Sequence, residues 1–308
     1  MNKPKIAIAT GDPAGIGPEI SLKAARDPGV LAICRPVLFG DRVALQMHGS
    51  LQGIELVEVK HAKPKFGTVS PAHGRAALAC AEKAIRAALA GEFHAVVGAP
   101  HTDTAIHAAG IEFDGYPSFV ARLCGLAPEE PILMLCFRTE EREVRIAHVT
   151  LHASVADALK QITRERVLKT VRAVQRALLK LGIEIPRIAV SGLNPHASGA
   201  EERETIAPAL EEAKREGIIA DGPIGADTLI QRKGYDAYVV MLHDQGHVAA
   251  KLLAPQRIAA LTIGAPVLFS SVGHGSALDI AGQGKADHRA MVEAITRLAG
   301  QRRRALAT

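Results

Sequence analysis

The sequence predicts an α/β protein with mostly parallel strands, and three observations carry that prediction. Short runs of β-type residues alternate with helical patterns from one end of the chain to the other. Hydrophobic residues fill 48% of the 308 positions and charged residues 22%, enough to bury a core in one large domain or two closely packed ones. Aromatic residues make up only 3% and Trp is absent, so that core must be aliphatic.

Strands are expected at Lys5–Thr10, Pro36–Gly40, Ile54–Val59, His94–Ala99, Ile132–Phe137, Val144–Thr150, Arg187–Ser191, Ala237–Leu242, Ala260–Ile263 and Val267–Ser271. A first helix can begin at Pro18, where a fixed φ suits the opening turn. A second, rich in Ala, covers Ala72 to Gly91, with Gly91 as its C-terminal stop. The clearest follows Thr163 as N-cap and sets Val167, Val171, Val174, Leu178 and Leu181 on one face before Gly182. There is no internal repeat, low-complexity segment or long linker, so any domain boundary falls in a compact connection. The expected crossings lie near Leu126–Pro131 and Ala265–Ser271, giving a first α/β domain of residues 1–128 plus 270–308 and a second of 129–269.

Charge narrows the function. A net +5 is spread over 37 basic and 32 acidic residues, and the dense cluster Arg302-Arg303-Arg304 reads as a solvated tail, with phosphate contact as the alternative. With so few aromatics, a base-stacking surface is hard to assemble, so no nucleic-acid partner is expected. A mild positive field suits an anionic substrate or a dinucleotide. The four cysteines form no CxxC pair and lie in apolar stretches, as reduced thiols of a cytoplasmic protein do. The apolar segment Ile6 to Thr10 is too short for a signal sequence, and no apolar run approaches the length of a membrane span.

Four segments carry candidate chemistry. Gly11-Asp12-Pro13-Ala14-Gly15-Ile16-Gly17-Pro18-Glu19 joins a strand to a helix but matches neither common nucleotide-loop pattern. It reads equally as a structural turn or as the wall of a ligand cleft. Three histidines fall at strand ends or just beyond: His148, His196 in Asn194-Pro195-His196, and His243 in Leu242-His243-Asp244. Ligands of open α/β sheets bind at the carboxyl ends of strands, and three neutral imidazoles converging there can hold a divalent ion. His152 and His247, four residues after two of them, compete for the role or support it. Asp244 can orient His243 or coordinate the ion, and Lys251 lies two helical turns past His243, where it reads as a site ammonium or a surface lysine. The last segment, residues 273–287, is dense in Gly, letting backbone approach a ligand closely. Within it Asp279 can accept hydrogen bonds from both ribose hydroxyls and would repel a 2′-phosphate, favouring NAD over NADP.

Together, GDPAGIGPE, GLNPHA, MLHDQG and HGSALDIAGQGKAD in this order resemble the PdxA family, from Lys5 to about Ala294. The founding activity of that family is 4-hydroxythreonine-4-phosphate dehydrogenase. The resemblance implies a two-domain α/β/α fold like that of isocitrate and isopropylmalate dehydrogenases, with mostly parallel sheets, and a homodimer whose active site borrows residues across the interface. It maps the metal ligands onto His148, His196 and His243, the substrate lysine onto Lys251, and the adenosine loop onto His274, Gly275, Ala277, Asp279, Ile280 and Asp287. Zinc is the first expectation for the ion, with cobalt, nickel, iron, manganese or magnesium as alternatives.

Departures from the founding pattern bear on the substrate. Gly115-Tyr116-Pro117-Ser118 stands where founding-type members read Gly-His-Thr-Glu, and Ala260 and Phe269 stand where they carry an Asn and an Arg around the phosphate. A guanidinium offers a fork of donors to phosphate and Phe offers none. Asp103 likewise takes the place of a cation in Pro100-His101-Thr102-Asp103-Thr104. These features resemble the terephthalate dihydrodiol dehydrogenase branch, with Tyr116, Ser118 and Phe269 lining the substrate pocket. The expected reaction is NAD- and metal-dependent oxidation of a hydroxy acid followed by decarboxylation, with Lys251 or Asp244 handling the proton. The rivals are a phosphorylated hydroxythreonine or sugar-acid phosphate as substrate, and a non-catalytic metal or nucleotide sensor.

Overall fold

The computed structural model describes residues 3–61, 63–127, 130–254 and 258–299. The cluster Arg302-Arg303-Arg304 lies outside the described residues. From the amino end run β1 (Lys5–Ala9), α1 (Gly17–Ala25), α2 (Pro28–Ile33), β2 (Arg35–Gly40), α3 (Arg42–Gln46), β3 (Glu55–Glu58), α4 (Pro71–Leu89), β4 (Ala95–Gly98), α5 (Asp103–Ala108) and α6 (Tyr116–Leu123). Then come β5 (Ile132–Arg138), β6 (Glu143–His148), α7 (Val155–Gln161), α8 (Arg164–Lys180), β7 (Arg187–Ser191), α9 (Ala207–Arg215) and β8 (Ile219–Ile224). The order closes with α10 (Ala226–Leu229), β9 (Ala237–Val240), α11 (His243–Leu253), β10 (Ala259–Ile263), β11 (Phe269–Ser271) and α12 (Arg289–Leu298).

The chain forms two compact units, Met1–Pro131 with Ala265–Gly300, and Ile132–Gly264. In the first, the strand order is β3-β2-β1-β4-β11, parallel throughout. Both faces of β1 are buried, so it reads as an apolar run without alternation. One face packs Ala7, Val37, Phe39 and Val96 with Cys80, Ala84 and Ile85 of α4. Ser70 caps α4 by accepting the His73 N–H at 3.3 Å. The helix ends as expected, with Gly91 at φ 81° and the Glu92 N–H reaching back to Ala87 O at 3.1 Å.

In the second unit the order is β10-β5-β6-β9-β7-β8, with β10, β5 and β6 antiparallel in turn and β6, β9, β7 and β8 parallel. Thr163 caps α8 through the Arg166 N–H at 3.2 Å, and Val167, Val171, Val174 and Leu178 are buried as the periodicity expects. Burying each such side chain contributes roughly 1.5–3 kcal/mol. β8 was not expected, because Gly222 and Pro223 interrupt its β-type pattern. Among the described residues no helix is long and apolar enough to cross a membrane.

Candidate functional site

β6, β9 and β7 are parallel neighbours, so their carboxyl ends open on one edge of the second unit. Each delivers one of the three histidines. His148 is the last residue of β6, His243 opens α11 just past β9, and His196 lies in the turn Pro195–Ala197 beyond β7. The His148 and His243 ring centroids are 6.4 Å apart. His247 stacks on His243 at 3.7 Å and sits 4.7 Å from His148, and His152 lies 5.8 Å from His243. Among the described residues His196 has no ring contact with this cluster, so the two supporting histidines join it more closely than the third expected ligand does.

His148 is buried, and its Nδ1–H donates to Leu133 O at 3.3 Å, which leaves the lone pair on Nε2. Nε2 has no hydrogen-bond partner among the described residues. Burial, then the neighbouring His247, pushes the His148 pKa down to about 3. His247 is lowered to about 4, by burial and then by His243, and its Nδ1–H donates to His243 O at 3.2 Å. Asp244 Oδ1 is 2.6 Å from His243 Nδ1 and orients that ring. Space for His148 depends on position 246: a Cβ there would overlap Nε2 and come within 3.0 Å of Cε1, so only Gly fits.

A metal ion asks its ligands for neutral imidazoles whose second nitrogen is anchored. His148, with a bare buried Nε2, and His243, held by Asp244, fit that request in donor chemistry. Among the described residues no group of three or more His, Cys, Asp or Glu side chains is disposed to hold an ion. A complete set therefore needs His196 to approach or a donor from beyond this chain. Beside the cluster is a cleft of about 290 Å³ lined by Thr150, His152, Val155, Leu242, His243 and Asp244. Lys251 is exposed on α11, two turns from His243, and lies near enough to His247 to lower its pKa.

Two supporting residues were not anticipated. Gln245 accepts the Met241 and Leu242 N–H groups at 2.9 and 3.0 Å and donates to Gly192 O at 3.1 Å, tying the end of β9 to the end of β7. Its signal is the Gln at the third position of a helix, half of a capping box. Glu202, buried in a π-helical turn, accepts the Leu193 and Asn194 N–H groups at 2.7 and 2.8 Å and the Asn194 side chain at 2.9 Å. Those bonds hold its carboxyl below the usual range against the opposing effect of burial, which is the largest single influence. Held by that grip, His196 and Ala197 take positive φ values of 58° and 52°, a strained conformation typical of functional loops.

In the first unit, the loops after β1, β4 and β11 meet at the point where strand order reverses, between β1 and β4. Thr102 Oγ1 donates to Asp12 and lies 2.9 Å from Ser276 Oγ, and the Ile16 N–H donates to Ser276 O at 2.9 Å. Of the expected adenosine-loop residues, His274 and Gly275 are exposed, Ala277 takes φ 40°, and Asp279 and Ile280 lie in a 3-10 turn with the Asp279 side chain exposed. Asp287 is committed elsewhere: Arg289 binds both its oxygens and draws its pKa down to about 2. Tyr116 and Phe269 do not line an open cleft. Both are core residues of this unit, 3% and 0% exposed, with centroids 4.7 Å apart and the Tyr116 hydroxyl donating to Ala99 O. Ser118, in the first turn of α6, donates its hydroxyl to Asp114 and lies 3.1 Å from Gly115 O, both just before the helix. Asp103 is 3.1 Å from His101 Nε2, and Ala260 lies in β10 opposite Leu135.

Known proteins resemble this chain in sequence and in fold. A 1,2-dihydroxy-3,5-cyclohexadiene-1,4-dicarboxylate dehydrogenase from Comamonas sp is 42% identical over 96% of this chain and 98% of its own length. A terephthalate 1,2-cis-dihydrodiol dehydrogenase from Burkholderia xenovorans LB400 has a solved structure that matches with TM-score 0.81 and 38% identity, over 96% of this chain and 97% of its own. A 4-hydroxythreonine-4-phosphate dehydrogenase from Burkholderia phymatum matches with TM-score 0.85 and 32% identity, over 98% and 100%. In fold alone the likeness extends to a beta-decarboxylating dehydrogenase from Thermococcus kodakarensis, at TM-score 0.50 and 19% identity. Residues 32–298 match the family described as Pyridoxal phosphate biosynthetic protein PdxA, a span that takes in all three histidine-bearing strands and the loop around Asp279, and the chain belongs to that family.

Proposed function

We propose that the chain is an NAD- and divalent-metal-dependent dehydrogenase that oxidises and decarboxylates a non-phosphorylated cyclic dihydrodiol carboxylate of the terephthalate dihydrodiol type. The observation that carries this reading is the near full-length likeness, at 42% identity, to the Comamonas dihydrodiol dicarboxylate dehydrogenase. Position 269 supports it. Where the family resemblance expects a phosphate-gripping guanidinium, Phe269 presents a buried ring closed against Tyr116, with no donor for a phosphate.

A divalent ion at His148 and His243, with His196 or a donor from a second subunit, would supply Lewis-acid polarisation of the substrate oxygens, and NAD would supply the hydride acceptor. The protein's own part is proton and charge handling. Asp244, exposed beside the cleft, or Lys251 takes the proton of the hydroxyl whose carbon loses hydride. The oxidised carbon is then a ketone β to a carboxylate, which leaves as carbon dioxide. For a dihydrodiol dicarboxylate the resulting enol is an aromatic diol, so aromatisation adds driving force. The exposed Asp279 carboxylate would accept the two ribose hydroxyls of NAD. The working form in this proposal is a homodimer.

The fold likeness to the 4-hydroxythreonine-4-phosphate dehydrogenase favours a second reading, with a phosphorylated hydroxy acid as substrate. NADH formation measured side by side on the cyclic dihydrodiol dicarboxylate and on phosphorylated hydroxythreonine separates the two. Turnover of the phosphate ester alone would overturn the first reading, and no turnover of either with NAD bound would favour a sensor.

A further inference from the structure

The motif GDPAGIGPE takes no part in the chemistry above, yet two residues at and just after its end hold the loop that contains Asp279. Glu19, 2% exposed on α1, accepts the Ala286 N–H on Oε1 at 2.9 Å. Lys23, one turn further along, spends its three ammonium donors on three acceptors: Glu19 Oε1 at 2.7 Å, Gly284 O at 2.9 Å and Ala286 O at 2.9 Å. The N–H and the carbonyl of Ala286 are thus both gripped by one ion pair. Glu19 Oε2 makes no hydrogen bond among the described residues and faces His48 Nδ1 at 3.9 Å.

We infer that Glu19 and Lys23 are positioning residues for dinucleotide binding: they fix the carboxyl half of the 273–287 loop from below, and NAD affinity depends on them although neither touches the cofactor. The inference rests on the reading that this loop receives the adenosine half of NAD. Residues 282–285 are exposed, and the ion pair acts between three other anchors: the Phe66 ring packed on Gly282, Arg289 on the Asp287 carboxylate, and Ser276 at the loop's other end. Without the ion pair the backbone around Gly284 and Ala286, between those anchors, would sample open conformations, and the apparent affinity of a ligand falls with the fraction of protein in the competent one.

The test compares the full-length wild-type protein with Lys23→Ala, Lys23→Arg and Glu19→Gln, by NAD titration calorimetry, steady-state kinetics and hydrogen exchange. Lys23→Ala should weaken NAD binding about tenfold, as expected if the competent loop fraction drops to about a tenth. KM for NAD should rise in step while kcat changes less than twofold. Amide exchange at 284–287 should speed up, bound metal content should stay at the wild-type level, and Lys23→Arg should restore most of the affinity. Glu19→Gln keeps an acceptor for the Ala286 N–H and should fall between. Wild-type affinity in both Lys23→Ala and Glu19→Gln would overturn the inference, as would a drop in kcat with KM for NAD unchanged. A wild-type protein that does not bind NAD would instead overturn the cofactor reading beneath it.

Discussion

Replacing Gly246 by Ala probes how tightly His148 is held. In α11 the new Cβ would overlap His148 Nε2, lie 2.9 Å from Ile146 Cγ2 and stand 3.0 Å from His148 Cε1. An ordinary carbon contact is about 3.5–4.0 Å, so the ring must move by roughly 1 Å. It has little room to do so: His148 is 2% exposed and its Nδ1–H is tied to Leu133 O at 3.3 Å. Two opposing terms act on stability. Ala is better than Gly in a helix by about 0.8–1.0 kcal/mol, while overpacking a dense site costs about 1–3 kcal/mol. The net change should be a destabilisation of about 0–2 kcal/mol, a small shift in Tm. Metal binding has no such compensation. Displacing a ligand's support typically weakens a metal site by about 10–100-fold, and loss of that order is expected here. Competition of the purified protein against a chromophoric chelator for zinc or manganese measures it, with thermal melting as the check on folding. A well-folded Gly246→Ala protein that binds metal as tightly as wild type would refute the assignment of His148 Nε2 as a donor.

His243→Ala should abolish metal binding and turnover together while leaving NAD affinity within about twofold, read by metal content, NADH formation and NAD titration; full activity of the metal-free variant would overturn the site. Asp279→Ala should erode the preference for NAD over NADP, with the ratio of their kcat/KM values as the readout. Glu202→Ala should destabilise the protein by about 1–3 kcal/mol, since two loop N–H groups lose a charged acceptor, and denaturant unfolding measures it. The metal-free protein should lose stability on acidification below pH 6.5. The unfolded chain takes up protons at His148 and His247 from about pH 6.5 downward, whereas the folded chain resists to about 3 and about 4. Fewer protons on the folded state make stability rise with pH across that window, at roughly 1.4 kcal/mol per unit for each fully shifted histidine. Chelator-treated protein melted between pH 7 and about pH 4.5 should show this slope, and His148→Asn should roughly halve it, leaving the His247 share.

What was legible in the sequence was whatever local pattern determines. Ten strands were readable because each is a short apolar or β-branched run bounded by turn residues, and the α8 N-cap because Thr163 precedes an uninterrupted helical period. β8 was not, because Gly222 and Pro223 remove the side chains and the donor that mark a strand. The placement of His148, His196 and His243 at carboxyl strand ends was readable for the same local reason. Strand order was not: nothing in the residues says that β9 inserts between β6 and β7, and that insertion puts the three ends side by side.

The same divide bears on residues whose surroundings lie beyond local pattern. The family resemblance puts Tyr116 and Phe269 in a substrate pocket, whereas in the fold both are buried and Phe269 starts a strand paired to β4. Asp287 shares its loop with Asp279, yet Arg289 two residues on claims its carboxylate, while Asp279 stays exposed. Glu19 and Glu202 show the converse. Each is an acidic residue to which the sequence pattern assigns no role. Each is 2% exposed and commits one carboxylate oxygen to backbone N–H of a loop that carries a candidate ligand-binding residue. A buried carboxylate is stable only where such donors meet it. In each unit a buried acid thus supplies to a glycine-containing loop the rigidity that glycine by itself gives up, which is what the proposed ligand sites require.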